Sequence, residues 1–239
     1  MRTVRVKGMA RRENGETISG EVRELLRDDI FAGAWTPGTR LQIGELTARY
    51  QASSTVVREA MVRLSGERLL EFRPNRGFFI AEYTLDQLRD ISELRCRVEE
   101  YGLELAISRG DMKWESELIA VHHLLERTPA RSASGQGHIT PAWFAAHRAF
   151  HAKLLEAAGV PLLVEVAGTL SDATSLYRIR AASQPHLEHR DIEAEHREIL
   201  DATIARDTPE ATRLLRAHYT RTLEIIEQAE FDSGERQRA

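Results

Sequence analysis

The chain has 239 residues, enough for one to two domains at roughly 150 residues each. Apolar residues make up 42% and charged residues 29%, a balance that supports buried cores and excludes wholesale disorder. The single cysteine, Cys96, excludes an internal disulfide framework and points to a reducing, cytoplasmic setting. No run approaches the ~18 apolar residues that a membrane span needs, so no membrane partner is expected. The basic N-terminus lacks the apolar stretch of a secretory signal.

Charge is unevenly divided. Residues 1–84 hold 14 Lys and Arg against 11 Asp and Glu, a balance of +3, while the remainder holds 19 against 26, a balance of −7. A basic first part and an acidic second part suggest that the first meets a polyanion.

Residues 1–15 are polar and aperiodic and read as a flexible tail. Ile18, Val22, Leu25, Leu26 and Ile30 follow helical spacing, and Gly33 should end that helix. Trp35-Thr-Pro-Gly38 is a turn, and a short helix is expected over about Ile43–Tyr50. The next helix starts near Ser53 or Ser54, either of which can cap it, and carries Val57, Ala60, Met61 and Leu64 on one face. Leu69–Ile80 reads as two short strands around an Arg-Pro-Asn-Arg-Gly turn.

From Thr84 onward the pattern is helical. Thr84-Leu-Asp-Gln87 fits a capping box for a helix to about Ser108, and a second helix covers about Lys113–Glu126. After a loop over Thr128–Thr140, Thr140-Pro141 opens a helix that Gly159 closes. Pro161, Pro185 and Thr208-Pro209 open three more. The expected architecture is mainly α. A winged helix-turn-helix occupies residues 16–84, an all-α helical bundle of about six helices residues 85–231, and a second flexible tail residues 232–239.

The order helix, helix, turn, helix, hairpin suits binding to double-stranded DNA. Small polar residues at the start of the third helix, Ser53, Ser54 and Thr55, let phosphate oxygens approach its free N–H groups. Arg58, one turn on, can reach a guanine edge or a phosphate in the major groove. The hairpin tip offers Arg73, Asn75, Arg76 and Gly77 to an adjacent groove. One such module reads a half-site, so a homodimer on a palindromic operator is expected.

Histidines mark the second module. His147 and His151 lie four apart on the apolar stripe of Phe144, Leu154 and Leu155, and so face inward together. His196 shares a stripe with Ile192, Ile199 and Leu200, and His218 one with Ala211, Leu214 and Leu215. Several imidazoles buried without partners are costly, and a divalent metal can satisfy them together. Unrelated core histidines with backbone partners are the bland alternative. His122, His123, His186 and His189 read as surface residues.

Residues 18–81 resemble the GntR-type winged helix. The resemblance rests on Pro37-Gly38-Thr-Arg-Leu41, Glu45-Leu46, Ser53-Ser-Thr-Val-Val-Arg58-Glu59-Ala60 and Arg73-Pro-Asn-Arg-Gly77-Phe78-Phe79-Ile80. Ser54 stands where that family usually has an arginine, and Val56 where it has a proline, so the operator sequence does not carry over. Residues 85–227 resemble the FCD ligand-binding domain of FadR-type regulators, through Glu93-Leu-Arg95-x-x-Val98-Glu99, Phe150-His151-x-x-Leu154, Glu195-His196-x-x-Ile199-Leu200 and Ala217-His218. The resemblance implies a ligand-responsive transcription regulator, a repressor, whose metal sits on three histidines and an aspartate. His151, His196 and His218 match, and His147 occupies the aspartate position. Without an anionic ligand, Zn or Ni is favoured over Mg or Mn, and His147 either coordinates or only packs.

The resemblance also implies a small carboxylate effector, an organic or sugar acid. Arg95 matches the inward arginine that clamps it, with a surface ion pair to Glu99 as the alternative. Thr174 and Arg178, on a neighbouring helix, could line the same pocket. A metal-dependent enzyme using the histidine cluster is the competing function, although no HExxH motif or obviously placed general base accompanies it.

Overall fold

The computed structural model describes residues 17–130, 140–182 and 190–236. Two compact units meet between Tyr83 and Thr84. The expected first tail, residues 1–15, lies outside the described residues, whereas residues 232–236 of the expected second tail are helical.

In the first unit, α1 spans Ile18–Phe31, with Thr17 accepting the Gly20 N–H as its cap. It buries Val22, Leu26 and Ile30, and the chain leaves through Gly33 at φ +76°. The short α2, Ile43–Tyr50, ends at Gln51 in the left-handed region. Asp29 of α1 ties the two helices together, accepting from Tyr50 Oη at 2.6 Å and Arg49 Nε at 2.7 Å. The third helix, α3, runs over Ser54–Gly66. Its buried stripe is the expected one of Val57, Ala60, Met61 and Leu64, all fully enclosed. Glu59 anchors it to α1, accepting from Ser19 Oγ at 2.9 Å.

The hairpin strands follow, β2 at Leu70–Arg73 and β3 at Gly77–Ile80. A strand that the pattern did not indicate, Arg40–Leu41 (β1), pairs with the other side of β3, making an antiparallel sheet of order β1-β3-β2. Two residues are too few to show alternation, so β1 is legible only from its partner. At the wing tip, Asn75 and Gly77 take positive φ, which these residue types tolerate best.

The second unit contains six helices among the described residues. They are α4 (Leu85–Arg109), α5 (Met112–Arg127), α6 (Pro141–Glu156), α7 (Pro161–Ala182), α8 (Ile192–Ile204) and α9 (Thr208–Arg236). The capping box at Thr84 and Gln87 is formed, and Thr140 caps α6 with Pro141 in its first turn. Pro185 lies outside the described residues, and α8 begins at Ile192 with Asp191 as its cap. The last helix continues to Arg236, past the expected domain end at 231. Leu103, Leu118, Phe150, Ile199 and Leu215, one from each of five helices, are fully buried in the common core. Gly102 marks a close approach of α4 and α7, because a Cβ there would lie 2.6 Å from Leu163 Cδ2.

Candidate metal centre and nucleic-acid interface

His147 and His151 project from successive turns of α6, His196 from α8 and His218 from α9. All four are buried, at 2–5% exposure, because each continues an apolar stripe. One ring nitrogen from each lies within 4.8 Å of those from the other three. His147 Nε2 and His151 Nε2 are 3.2 Å apart, and Trp143 stacks on the His147 ring at 4.8 Å.

Burial drives His147, His151 and His196 well below the ordinary imidazole range, each neighbouring ring adding to the effect. His218 is pushed down to about 4, again by burial, against a pull upward from Glu195. All four rings are therefore neutral near pH 7 and carry lone pairs.

Two outer contacts decide where those lone pairs point. Glu195 Oε2 lies 2.8 Å from His218 Nδ1, and Tyr219 Oη lies 2.9 Å from His151 Nδ1. Burial pushes the Glu195 carboxyl up, but bonds from His218 and Arg190 outweigh it and hold the group well below the usual carboxylate range. Arg190 Nη2, which can only donate, also lies 3.2 Å from His218 Nδ1, but the Glu195 contact is the shorter, and an ionised carboxylate only accepts, so His218 carries its proton on Nδ1 and leaves Nε2 free. His196 Nε2 is buried with no hydrogen-bond partner among the described residues. An orphaned imidazole nitrogen amid three others is a donor set that fits a transition-metal ion.

Beside the cluster lie two guanidinium groups, Arg95 on a buried side chain and Arg178 on a half-buried one. Arg95 of α4 donates from Nε to Glu99 Oε1 at 2.6 Å and covers the Tyr219 ring at 3.9 Å. The Arg95–Glu99 pair, the alternative to a carboxylate clamp, thus forms, but inside the bundle instead of on its surface, at 3% and 2% exposure. Arg95 Nη2 has no hydrogen-bond partner among the described residues. Arg178 of α7 donates to Ser175 Oγ at 2.6 Å, while its Nε is buried with no hydrogen-bond partner among the described residues. Burial, with the charge of Arg95, pushes Arg178 down to about 9. Thr174 is buried and spends its hydroxyl proton on Ser171 O, one turn back.

His122 corrects the sequence reading. It is 7% exposed, its ring edge-on to Phe150 at 5.4 Å, whereas His123 is exposed. Adjacent residues face different ways on a helix, and here His122 is the one on the inward side. His186 and His189 lie outside the described residues. The sequence reading missed Tyr219, Glu195 and the buried role of Glu99. The available signal was adjacency, since Tyr219 follows His218 and Glu195 precedes His196.

On the first unit, Ser53 caps α3 by accepting the Val56 N–H at 3.3 Å. Ser54, Thr55 and Arg58 are exposed, and Arg58 makes no ion pair or hydrogen bond among the described residues. At the wing, Asn75 and Arg76 are exposed, and the Arg76 guanidinium lies 5.7 Å from the centre of the Phe79 ring. Arg73 is instead tied to Glu71 at 2.7 Å and stacked on Phe79 at 4.4 Å. Arg40, which the sequence reading did not single out, is exposed beside Gly77 at the base of the wing.

Two family models match the chain. Residues 18–80 match the gntR family of bacterial regulatory proteins, and residues 90–221 match the FCD domain. The chain belongs to the GntR family, FadR-type with an FCD domain. It is 31% identical over 207 residues to the HTH-type transcriptional repressor GlaR of Escherichia coli, covering 85% of this chain and 93% of that one. It is 30% identical over 205 residues to the HTH-type transcriptional regulator BphR of Paraburkholderia xenovorans, covering 86% and 83%. Its fold is shared with the solved structure of E. coli McbR/YncC, at TM-score 0.73 and 22% identity, over 89% of this chain and 98% of that one. This GntR-family protein is a DNA-binding transcription regulator and not an enzyme, so the metalloenzyme reading of the histidine cluster falls. Among its described residues no helix is long and apolar enough to cross a membrane.

Proposed function

We propose that this regulator is a repressor that binds palindromic operator DNA as a homodimer and is released by a small organic or sugar acid. The acid is sensed at a divalent ion, Zn or Ni, held by His147, His151, His196 and His218. The observation that carries this reading is the set of three buried, unpartnered nitrogens: His196 Nε2, Arg95 Nη2 and Arg178 Nε. Buried polar groups left bare cost free energy, and these three ask for complementary partners. Neutral imidazole nitrogens suit a borderline cation, which in turn offers open positions to a carboxylate or hydroxyl oxygen.

Charge supports an anionic effector. Arg95 is balanced by Glu99, but Arg178 has no carboxylate partner among the described residues. A divalent ion on four neutral ligands adds two further positive charges to the same interior. A carboxylate reaching from the ion to Arg178 and to Arg95 Nη2 neutralises that excess by charge-assisted hydrogen bonds.

Ser54, Thr55, Arg58, Asn75, Arg76 and Gly77 then meet the DNA, with Ser53 as the helix cap and Arg73 bracing the wing. Repression is supported by the relative GlaR, described as a repressor. A thermal-shift screen of organic and sugar acids, with and without Zn or Ni, tests the proposal. An acid that raises the melting temperature only in the presence of metal supports it. Acids that shift the metal-stripped protein equally well overturn the role of the ion.

A further inference from the structure

Four side chains from three helices form one continuous buried line. Arg95 Nε lies 2.6 Å from Glu99 Oε1, Glu99 Oε2 lies 2.5 Å from Tyr219 Oη, and Tyr219 Oη lies 2.9 Å from His151 Nδ1. None of the four exceeds 5% exposure. The residues joined are far apart in sequence, Glu99 and Tyr219 by 120 positions.

Counting protons along the line fixes its direction. Glu99, paired with a guanidinium, is a carboxylate and only accepts. Tyr219 has one hydroxyl proton. If that proton went to His151, two oxygens with no hydrogen between them would face each other at 2.5 Å in the buried interior. It therefore goes to Glu99, and the Tyr219 oxygen accepts. Its partner, His151 Nδ1, must then carry hydrogen, which leaves the His151 lone pair on Nε2, the nitrogen nearest His147. The Arg95 guanidinium over the Tyr219 ring strengthens the phenol as a donor to Glu99. His218 obtains the same tautomer directly from Glu195.

We propose that Tyr219, itself oriented by Glu99, is a positioning residue that holds His151 in its Nδ1–H tautomer and so delivers Nε2 to the ion. This rests on the reading of the histidine cluster as a metal site. Outer-shell partners of ligating histidines are worth roughly 10–100-fold in metal affinity. Glu99 touches no ligand and acts only through Tyr219. The chain thus ties Arg95, where the acid is expected, to a metal ligand on another helix.

The test uses the full chain, purified without a histidine tag and stripped of metal, with Zn affinity measured by competition with a chromophoric chelator. Tyr219→Phe, which removes only the hydroxyl, should weaken Zn binding by about 10–100-fold. Glu99→Gln should also weaken it, because an amide N–H can donate to the Tyr219 oxygen and turn the phenol proton towards His151. The double variant should be no weaker than Tyr219→Phe alone, since Glu99 has no second route to the ion. Circular dichroism checks that each variant folds. Imidazole nitrogen NMR of the metal-free wild-type chain reads the tautomer without any variant, and His151 should show the Nδ1–H pattern.

Zn bound equally well by wild type and Tyr219→Phe overturns the relay while leaving the metal site standing. Losses that multiply in the double variant, or an Nε2–H tautomer for His151, overturn it too. Failure of the wild-type chain to take up Zn at all overturns the metal site and the relay with it.

Discussion

Acidifying the metal-free protein is the most telling perturbation of the histidine cluster. Burial holds all four imidazoles below their ordinary value of 6.5, His218 at about 4. As pH falls the unfolded chain therefore takes up protons before the folded one does. The stability tied to this difference is complete above pH 6.5 and is lost as pH drops toward the folded values. At 1.36 kcal/mol per pKa unit, His218 alone removes about 2 kcal/mol by pH 5 and about 3 kcal/mol by pH 4. The other three rings act in the same direction. Carboxylates such as Glu195 begin to contribute only below their ordinary value of 4.5, so the window from pH 6.5 to 5 isolates the histidines. Residues 1–84 contain no histidine and serve as an internal control. The assay is urea unfolding of chelator-treated protein, followed by the fluorescence of Trp114 and Trp143 in a Trp35→Phe background. Stability of the second unit that is flat or higher at pH 5 than at pH 7 would refute the reasoning.

Arg58→Ala should cost about 1–3 kcal/mol of operator affinity with the fold intact, measured by mobility shift, and unchanged affinity would remove α3 from the base contacts. Arg76→Ala should weaken binding to all sequences and lower the salt slope by about one unit, since it removes one phosphate contact. Phe150→Ala, at a fully buried ring wedged among His122, His151 and His196, should destabilise the second unit by about 3–5 kcal/mol in calorimetry. Arg178→Met should abolish the thermal shift produced by an acid that stabilises the wild-type chain. It is a cleaner probe than Arg95→Ala, which strands Glu99 as a buried, unpaired charge.

Much of this architecture can be read locally. The stripe Val57, Ala60, Met61, Leu64, the capping box at Thr84 and the Thr140-Pro141 start are each set within one or two helical turns, where periodicity and capping chemistry operate. The four histidines were legible for the same reason, because each interrupts an apolar stripe that must face inward. What stayed hidden depends on residues brought together from afar. Strand β1 exists only because β3 offers it an edge. Whether His122 or His123 turns inward depends on where Phe150 of α6 lies. Arg95 and Glu99 could be seen as neighbours one turn apart, but their burial follows from the packing of α9, which brings Tyr219 over both. The ion pair of Arg73 needs only a neighbour two residues away, Glu71, whose side chain shares its face of the strand.

Elemental analysis of the full chain, purified without a histidine tag, asks whether the FCD domain of this regulator carries the proposed divalent ion on His147, His151, His196 and His218. About one equivalent of Zn or Ni per chain is expected, lost on chelation together with several degrees of melting temperature in the second unit, and lost also in His151→Ala and His218→Ala. Less than about a tenth of an equivalent of any transition metal, with no thermal shift on adding Zn or Ni, would contradict it and leave the histidines as the polar lining of a metal-free interior.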